Sequence, residues 1–150
     1  MEIHTVLLSR SEIASLMDLD AYYAAVEAAF RAHAEGRATI PLPLHIPVED
    51  GGFHAKGAYW APSDLGESRV EAGYVAVKVN SNFPGNPARG LPTIQGAVLL
   101  YDALDGRLLG ILDSMEITAR RTAAAASNDP AWKHTPPPAP EVEFDQRITW

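Results

Sequence analysis

The sequence predicts an α+β fold, with a mixed, largely antiparallel sheet packed with helices. Four segments alternate apolar and polar residues in steps of two, which is typical of strands. Other segments repeat apolar residues in steps of three and four, which is typical of helices. The 150 residues, 47% of them hydrophobic and 21% charged, suit one ordinary globular domain.

The chain opens with a predicted strand and two helices. The apolar run Thr5–Leu8 is followed by Ser9 and Glu12, spaced for the reciprocal hydrogen bonds of a capping box at the start of a short helix. Asp18 can cap a longer amphipathic helix that ends near Gly36. The apolar face of that helix comprises Leu19, Tyr22, Val26, Phe30 and His33.

The central region predicts the sheet and the final helix. The strands are Phe53–Tyr59, Tyr74–Asn80, Ile94–Tyr101 and Leu108–Leu112. Asp105 and Gly106 form a tight-turn signal that joins the last two strands into a hairpin. Asp113 or Ser114 then caps a helix that runs to about Ala126. The proline-containing segment Pro41–Pro47 is assigned neither a strand nor a helix.

The last part of the chain has a different composition. Residues 1–127 form the predicted domain, whereas 128–150 contain the proline cluster Pro136–Pro140 and no apolar periodicity. We expect this tail to be disordered or polyproline-like, because it offers no face that could be buried in a core.

Charge and composition exclude several classes of function. Acidic residues outnumber basic ones 19 to 12, for a net charge of −7, so a nucleic-acid partner is not expected. The longest apolar runs, such as Ala97–Leu100, are far shorter than the ~20 residues of a membrane span. The chain has no cysteine and no secretory signal at its start, which predicts a cytoplasmic protein without disulfides.

Two lysines occupy the middle of predicted strands. Alternation places Lys78 on the strand face opposite Val77 and Val79, and places Lys56 on the same face as His54. Each lysine is either solvated on an outer face of the sheet or a cation that anchors an anion, such as a carboxylate, in a cleft.

Other polar features also allow two readings. At helical spacing only one of Arg120 and Arg121 can face the core, and Arg121 shares a face with Ala124; alternatively, both arginines are solvent-exposed. The Pro- and Gly-rich segment Ser81–Thr93 is either a functional loop or an ordinary surface excursion. His45 and His54 lack a third ligand at recognisable spacing, so no metal site is predicted.

The polar residues lie within motifs that resemble the ornithine cyclodeaminase/mu-crystallin family. The similarity covers about residues 3–127. The matching segments are Ala76–Val79, Asn82–Asn86, Arg89–Gly96, Leu112–Ser114 and Ile117–Ala124.

The resemblance implies one half of an NAD(P)-dependent enzyme that acts on a small amino or imino acid. Members include cyclodeaminases, ketimine reductases and amino-acid dehydrogenases. Their N-terminal half binds substrate and forms a homodimer, and a C-terminal Rossmann half binds NAD or NADP. By position, Lys78 matches the lysine that holds the substrate, and Thr93 and Arg121 match residues at the junction of substrate and cofactor.

Two departures from the family pattern qualify this assignment. An arginine that many members carry in a Pro-x-Arg stretch is absent from Pro41–His45, and Lys56 is a candidate for its replacement. No glycine-rich phosphate loop follows Ser127. We therefore expect a truncated member without turnover of its own. The alternatives are a stand-alone dimeric binding module whose tail recruits a partner, and a non-functional remnant.

Overall fold

A computed structural model describes residues 4–61 and 73–126, which form a seven-stranded sheet, three α-helices and a short 3-10 helix at Asn86–Arg89. The tail predicted for 128–150 lies outside the described residues. In chain order the elements are β1 (Val6–Leu8), α1 (Arg10–Leu16), α2 (Leu19–Ala34), β2 (Ala38–Thr39), β3 (Leu44–Val48), β4 (Gly51–Trp60), β5 (Tyr74–Asn82), β6 (Ile94–Asp102), β7 (Leu108–Asp113) and α3 (Ser114–Ala126).

The strand order confirms the predicted mixed and largely antiparallel sheet. The order is β1-β7-β6-β5-β4-β2, and β3 also pairs with β4. Only the short β1 runs parallel to its neighbour, β7. The β4–β5–β6 centre of the sheet keeps a continuous antiparallel register, so residues directly opposite each other present their side chains on the same face.

The proline-containing segment Pro41–Pro47 is where the sequence assignment was incomplete. The structure places β3 at Leu44–Val48, with Pro47 opposite Gly52 of β4. Proline cannot donate a backbone hydrogen bond, but β3 pairs on one side only, so an edge position accommodates Pro47. Composition alone therefore misled the assignment here.

The predicted helix caps are confirmed. Ser9 and Glu12 form both hydrogen bonds of the capping box at α1. The carboxylate of Asp18 accepts a hydrogen bond from the backbone N–H of Ala21 at 2.8 Å. At α3 the cap is Asp113, which accepts from the N–H of Met115 at 2.8 Å.

The two faces of the sheet have different surroundings. Helix α3 packs on the face that carries Asn80 of β5, and α1 and α2 pack against α3. No described helix covers the opposite face, which we call the open face. It carries apolar side chains that include Leu7, Leu44, Ile46, Phe53, Val77, Val79, Leu99 and Ile111. None of the described helices has the length and apolar character needed to cross a bilayer.

Candidate functional site

Lys56 and Lys78 lie directly opposite each other on neighbouring strands. The register of β4 and β5 pairs these two residues, and both side chains are partly buried on the face that carries α3. Like charges on directly opposed positions of a sheet repel each other. The sequence placed each lysine on a strand face, but it did not reveal that the two are neighbours.

Helix α3 brings Arg121 to the same place. Ser114, Thr118 and Arg121 follow each other in steps of four and three, so they form one stripe along the helix. Ser114 Oγ donates a hydrogen bond to Asn80 Oδ1 at 2.6 Å, and Asn80 Nδ2 donates to Thr118 Oγ1 at 3.4 Å. Since Asn80 and Lys78 share a face of β5, this contact places the partly buried Arg121 beside Lys78.

The charge of Arg121 acts on both lysines, and we call these three cations the cationic cluster (Lys56, Lys78 and Arg121). Burial lowers the pKa of Lys78 to about 8, and the charges of Arg121 and Lys56 contribute to that shift. Burial, followed by the charge of Arg121, also lowers the pKa of Lys56. No salt bridge joins Lys78 to an acidic residue within the described chain. The cluster therefore concentrates positive charge on the face of the sheet that carries α3.

Arg120 has a different environment from Arg121. Its Nε donates to Glu116 Oε1 at 2.9 Å, and its side chain is 49% exposed. Arg10 approaches the other carboxylate oxygen of Glu116 at 3.4 Å. These ion pairs lie on the side of α3 away from the cluster, so Arg120 contributes to surface structure and not to the site.

Two histidines extend the site along the sheet. His45 of β3 and His54 of β4 are paired in register, and their rings stack with centroids 4.4 Å apart. They line a cleft of about 440 Å³ together with Asp50 and Asn82. Burial, the neighbouring His45 and then Lys56 lower the pKa of His54. Among the residues the structure describes, no group of three side chains could hold a metal ion.

Thr93 lies at the end of the sheet beside the loop between β5 and β6. Its carbonyl accepts a hydrogen bond from the N–H of Phe83 at 2.9 Å, and the loop is held by Asn86 Nδ2, which donates to the Pro92 carbonyl at 2.9 Å. Val98, the residue opposite Lys78, is five positions further along the chain, about 16 Å of extended strand. The structure thus brings Lys56, Lys78 and Arg121 together and places Thr93 nearer the cleft end.

Sequence reasoning missed the polar contact between β5 and α3. Asn80, Ser114 and Thr118 are buried, and each makes a hydrogen bond across the contact. A signal was present, because strand alternation places Asn80 on the face of Lys78, and helical spacing aligns Ser114, Thr118 and Arg121. Polar residues in line with a buried cation indicate a helix docked through hydrogen bonds.

The comparisons with known proteins agree with this architecture. The family model of the ornithine cyclodeaminase/mu-crystallin family matches residues 3–134, and the chain belongs to that family. It is 32% identical over 123 residues to alanine dehydrogenase from Archaeoglobus fulgidus, covering 82% of this chain and 35% of that protein.

Two solved structures are also similar. One is an archaeal alanine dehydrogenase dimer with bound NAD, with a TM-score of 0.72 and 32% identity over 82% of this chain and 35% of that one. The other is the Thermococcus litoralis Δ1-pyrroline-2-carboxylate reductase in complex with NADH and L-proline, with a TM-score of 0.73 and 33% identity over 82% of this chain and 36% of that one. The chain thus spans about a third of the length of the relatives it matches.

Proposed function

We propose that this chain supplies the substrate-carboxylate site of an NAD(P)-dependent enzyme that acts on a small amino or imino acid. The observation that carries the proposal is the cationic cluster, in which Lys78 is partly buried and lacks an ion pair with any described acidic residue. Burying such a charge is costly unless an anion compensates it. A related reductase of known structure is in complex with L-proline, which is a small amino acid.

Lys78 is the proposed catalytic residue. With a pKa of about 8 in the empty site, its ammonium group is charged at neutral pH, but it gives up a proton more readily than an ordinary lysine. A bound carboxylate would raise that pKa again. Lys78 can therefore hold a substrate carboxylate, or hold a proton at Nζ beside a substrate nitrogen. Arg121 and Lys56 would bind the rest of the anion.

In this proposal, residues other than the described ones hold the phosphates of the dinucleotide. A phosphate site of this kind uses free backbone N–H groups at a helix N-terminus. Here the carboxylates of Asp18 and Asp113 cap α2 and α3, and the Ser9 and Glu12 side chains cap α1. A phosphate at these ends would meet the negative charge of Asp18, Asp113 or Glu12. In our proposal Thr93 and Arg121 reach at most the edge of a cofactor that is held by other residues.

We also propose that the chain forms a homodimer through its open face. Val79 of this face is 39% exposed and Leu7 is 70% exposed, and an apolar surface of this extent favours a partner. A related alanine dehydrogenase of known structure is a dimer. Separately, we propose a cytoplasmic location for the chain. The absence of cysteine from the sequence supports it, because disulfides are typical of secreted proteins.

The test is calorimetric titration of the full 150-residue chain with 2-oxopentanoate, a small monocarboxylate. We expect Lys78→Met to weaken binding at least tenfold at pH 7, because it removes the central charge without removing the aliphatic stem. Arg31→Met, which removes an exposed cation of α2, is the matched control and should bind as the wild type does. Equal affinities of the wild type and Lys78→Met would contradict the proposal.

A further inference from the structure

The site has more groups that can bind an anion than a single carboxylate can contact. Lys56, Lys78 and Arg121 form the cationic cluster, and the imidazoles of His45 and His54 continue the same face of the sheet. One carboxylate placed between Lys78 and Arg121 would not contact Lys56 or the two imidazoles. These three groups lie on the β3 and β4 side of the cluster, and the two imidazoles line the cleft.

The sheet register sets the distance between the two ends of the site. His54 lies on the strand next to Lys78 and two residues further along, opposite Asn80. A strand spacing of about 4.8 Å combined with a two-residue rise of about 6.7 Å separates the two Cα atoms by roughly 8 Å. Side chains that lean toward each other across this distance can bind the two ends of a ligand with four or five carbon atoms.

The histidine pair is held in position before any ligand binds. The two rings are nearly parallel, with an interplanar angle of 14°. His45 also lies over Gly52, where an added Cβ would come within 2.8 Å of the imidazole Nε2. Glycine at this position thus makes room for the ring. Side chains whose conformation is fixed before binding lose little conformational entropy when they bind a ligand.

We propose that the site recognises a dicarboxylic amino or imino acid, with the first carboxylate on Lys78 and Arg121 and the second on His54, His45 and Lys56. The inference rests on the proposed function, since it assigns the class of substrate to the same site. The cleft of about 440 Å³ beside the two histidines has room for the second carboxylate. His45 and His54 are specificity-determining residues in this scheme.

The second carboxylate should bind with a characteristic pH dependence. Burial and the charges of His45 and Lys56 lower the pKa of His54, so in the empty site the proton is held weakly. Lys78 and Arg121 add positive charge from β5 and α3, and Asp50, which also lines the cleft, is the acidic group that opposes them. A second carboxylate favours protonated His54, so binding takes up a proton. The second carboxylate therefore contributes more to the affinity for the ligand as pH falls.

The experiment compares 2-oxoglutarate with 2-oxopentanoate, which has the same five carbons but one carboxylate. Both are titrated calorimetrically into the full chain at pH 5.5 and 7.5, where the ammonium of Lys78 stays mostly charged. We expect 2-oxoglutarate to bind about tenfold more tightly at pH 5.5, and this preference to shrink at pH 7.5. Sulfate serves as the probe for a general anion site.

Three variants test which residues cause the preference for 2-oxoglutarate. His45→Gln/His54→Gln should abolish the preference for 2-oxoglutarate over 2-oxopentanoate. Asp50→Asn should strengthen 2-oxoglutarate binding, because it removes the opposing charge. Lys78→Met should weaken the binding of both ligands. Circular dichroism checks that each variant folds, and the wild-type preference and its pH dependence test the proposal even if the double variant does not fold.

The outcomes separate this inference from the proposed function. If 2-oxopentanoate binding depends on Lys78 but 2-oxoglutarate binds no better at pH 5.5, the dicarboxylate assignment is wrong and the proposed function stands. Sulfate binding as tight as that of 2-oxoglutarate would also overturn it, in favour of a general anion site. If neither ligand shows binding that depends on Lys78, both proposals fail.

Discussion

A single residue, Lys78, carries a charge that its surroundings in the described chain disfavour. Its ammonium group is partly buried beside Arg121 and opposite Lys56, and no described acidic residue forms a salt bridge with it. Both burial and like-charge repulsion disfavour the charged form. In the absence of ligand, the protein therefore carries an unfavourable charge that an anion would compensate.

Replacing this charge should stabilise the empty protein. We expect Lys78→Met to raise the free energy of unfolding by about 1–2 kcal/mol at pH 7, after allowance for solvent screening of a partly buried group. The pKa of Lys78 falls from 10.5 to about 8 on folding. Between these values the unfolded chain holds more protons, so the wild type gains stability as pH rises. The advantage of Lys78→Met should therefore shrink toward pH 10.

Urea denaturation at pH 7 and pH 9.5, at one protein concentration, measures this difference. Arg31→Met is a control that removes an exposed cation, which is expected to change stability by less than about 0.5 kcal/mol. A Lys78→Met protein that is less stable than the wild type at pH 7 would show that the lysine is already compensated in the empty site.

At the scale of elements, the position of α3 on the sheet is set by hydrogen bonds. Ser114 is fully buried and donates to Asn80, and Thr118 accepts from the same asparagine. Hydrogen bonds are directional, so this contact specifies the rotation and the axial position of α3 more closely than apolar packing does. The location of Arg121 over Lys78 follows from that contact.

Breaking the contact should affect both stability and binding. We expect Ser114→Ala to lower the free energy of unfolding by about 1–3 kcal/mol, because Asn80 Oδ1 stays buried without a donor. Carboxylate affinity should fall as Arg121 loses its position. The matched control is Ser15→Ala in α1, whose hydroxyl is exposed and donates to the Glu12 carbonyl. Thermal denaturation and calorimetric titration would show the prediction to be wrong if both variants behaved alike.

At the scale of the whole molecule, the described helices cover one face of the sheet only. The fully buried apolar residues of the described chain are few, namely Ile13, Tyr22, Ala32 and Ala124, and all of them belong to helices. The strand residues are mostly only partly buried, and on the open face Val79 is 39% exposed and Leu7 is 70% exposed. A second copy packed on the open face would complete the burial of the sheet.

A charge on the open face should therefore prevent dimer formation. We expect the wild type to be a dimer at micromolar concentration and Val79→Lys to be a monomer, since an unpaired charge at the centre of an apolar interface is not compensated. Leu16→Lys is the control, because Leu16 is 65% exposed at the end of α1, away from the open face. Sedimentation velocity distinguishes the cases, and a monomeric wild type would refute the proposed interface.

The chain by itself should not catalyse hydride transfer. The N-termini of α1, α2 and α3 each carry an acidic side chain that would repel a phosphate, so we expect these ends not to hold a dinucleotide against the substrate. We expect the rate of NADH or NADPH oxidation with pyruvate or a cyclic ketimine to equal the rate without protein. Absorbance at the reduced-nicotinamide band measures this. Oxidation that requires the protein and is lost in Lys78→Met would contradict the expectation.

Local sequence signals determined most of the elements and the family. Strand alternation, helical spacing and the caps Ser9, Asp18 and Asp113 predicted the helices and the main strands, because each depends on residues within one or two turns of the chain. The motifs around Lys78 and Arg121 indicated the family, which the comparisons confirm. The sequence did not predict β3, because it contains Pro47 and proline is rare in strands other than edge strands.

Only the tertiary structure decided how these residues meet. Register places Lys56 opposite Lys78 and His45 opposite His54, and residues on separate strands have no local signal that fixes such pairing. The docking of α3 through Asn80 and Ser114 likewise joins segments that are 34 residues apart. Residue types thus specified the charges of the site. Long-range packing assembled them into one cluster, because strand pairing and helix docking are set by contacts between distant parts of the chain.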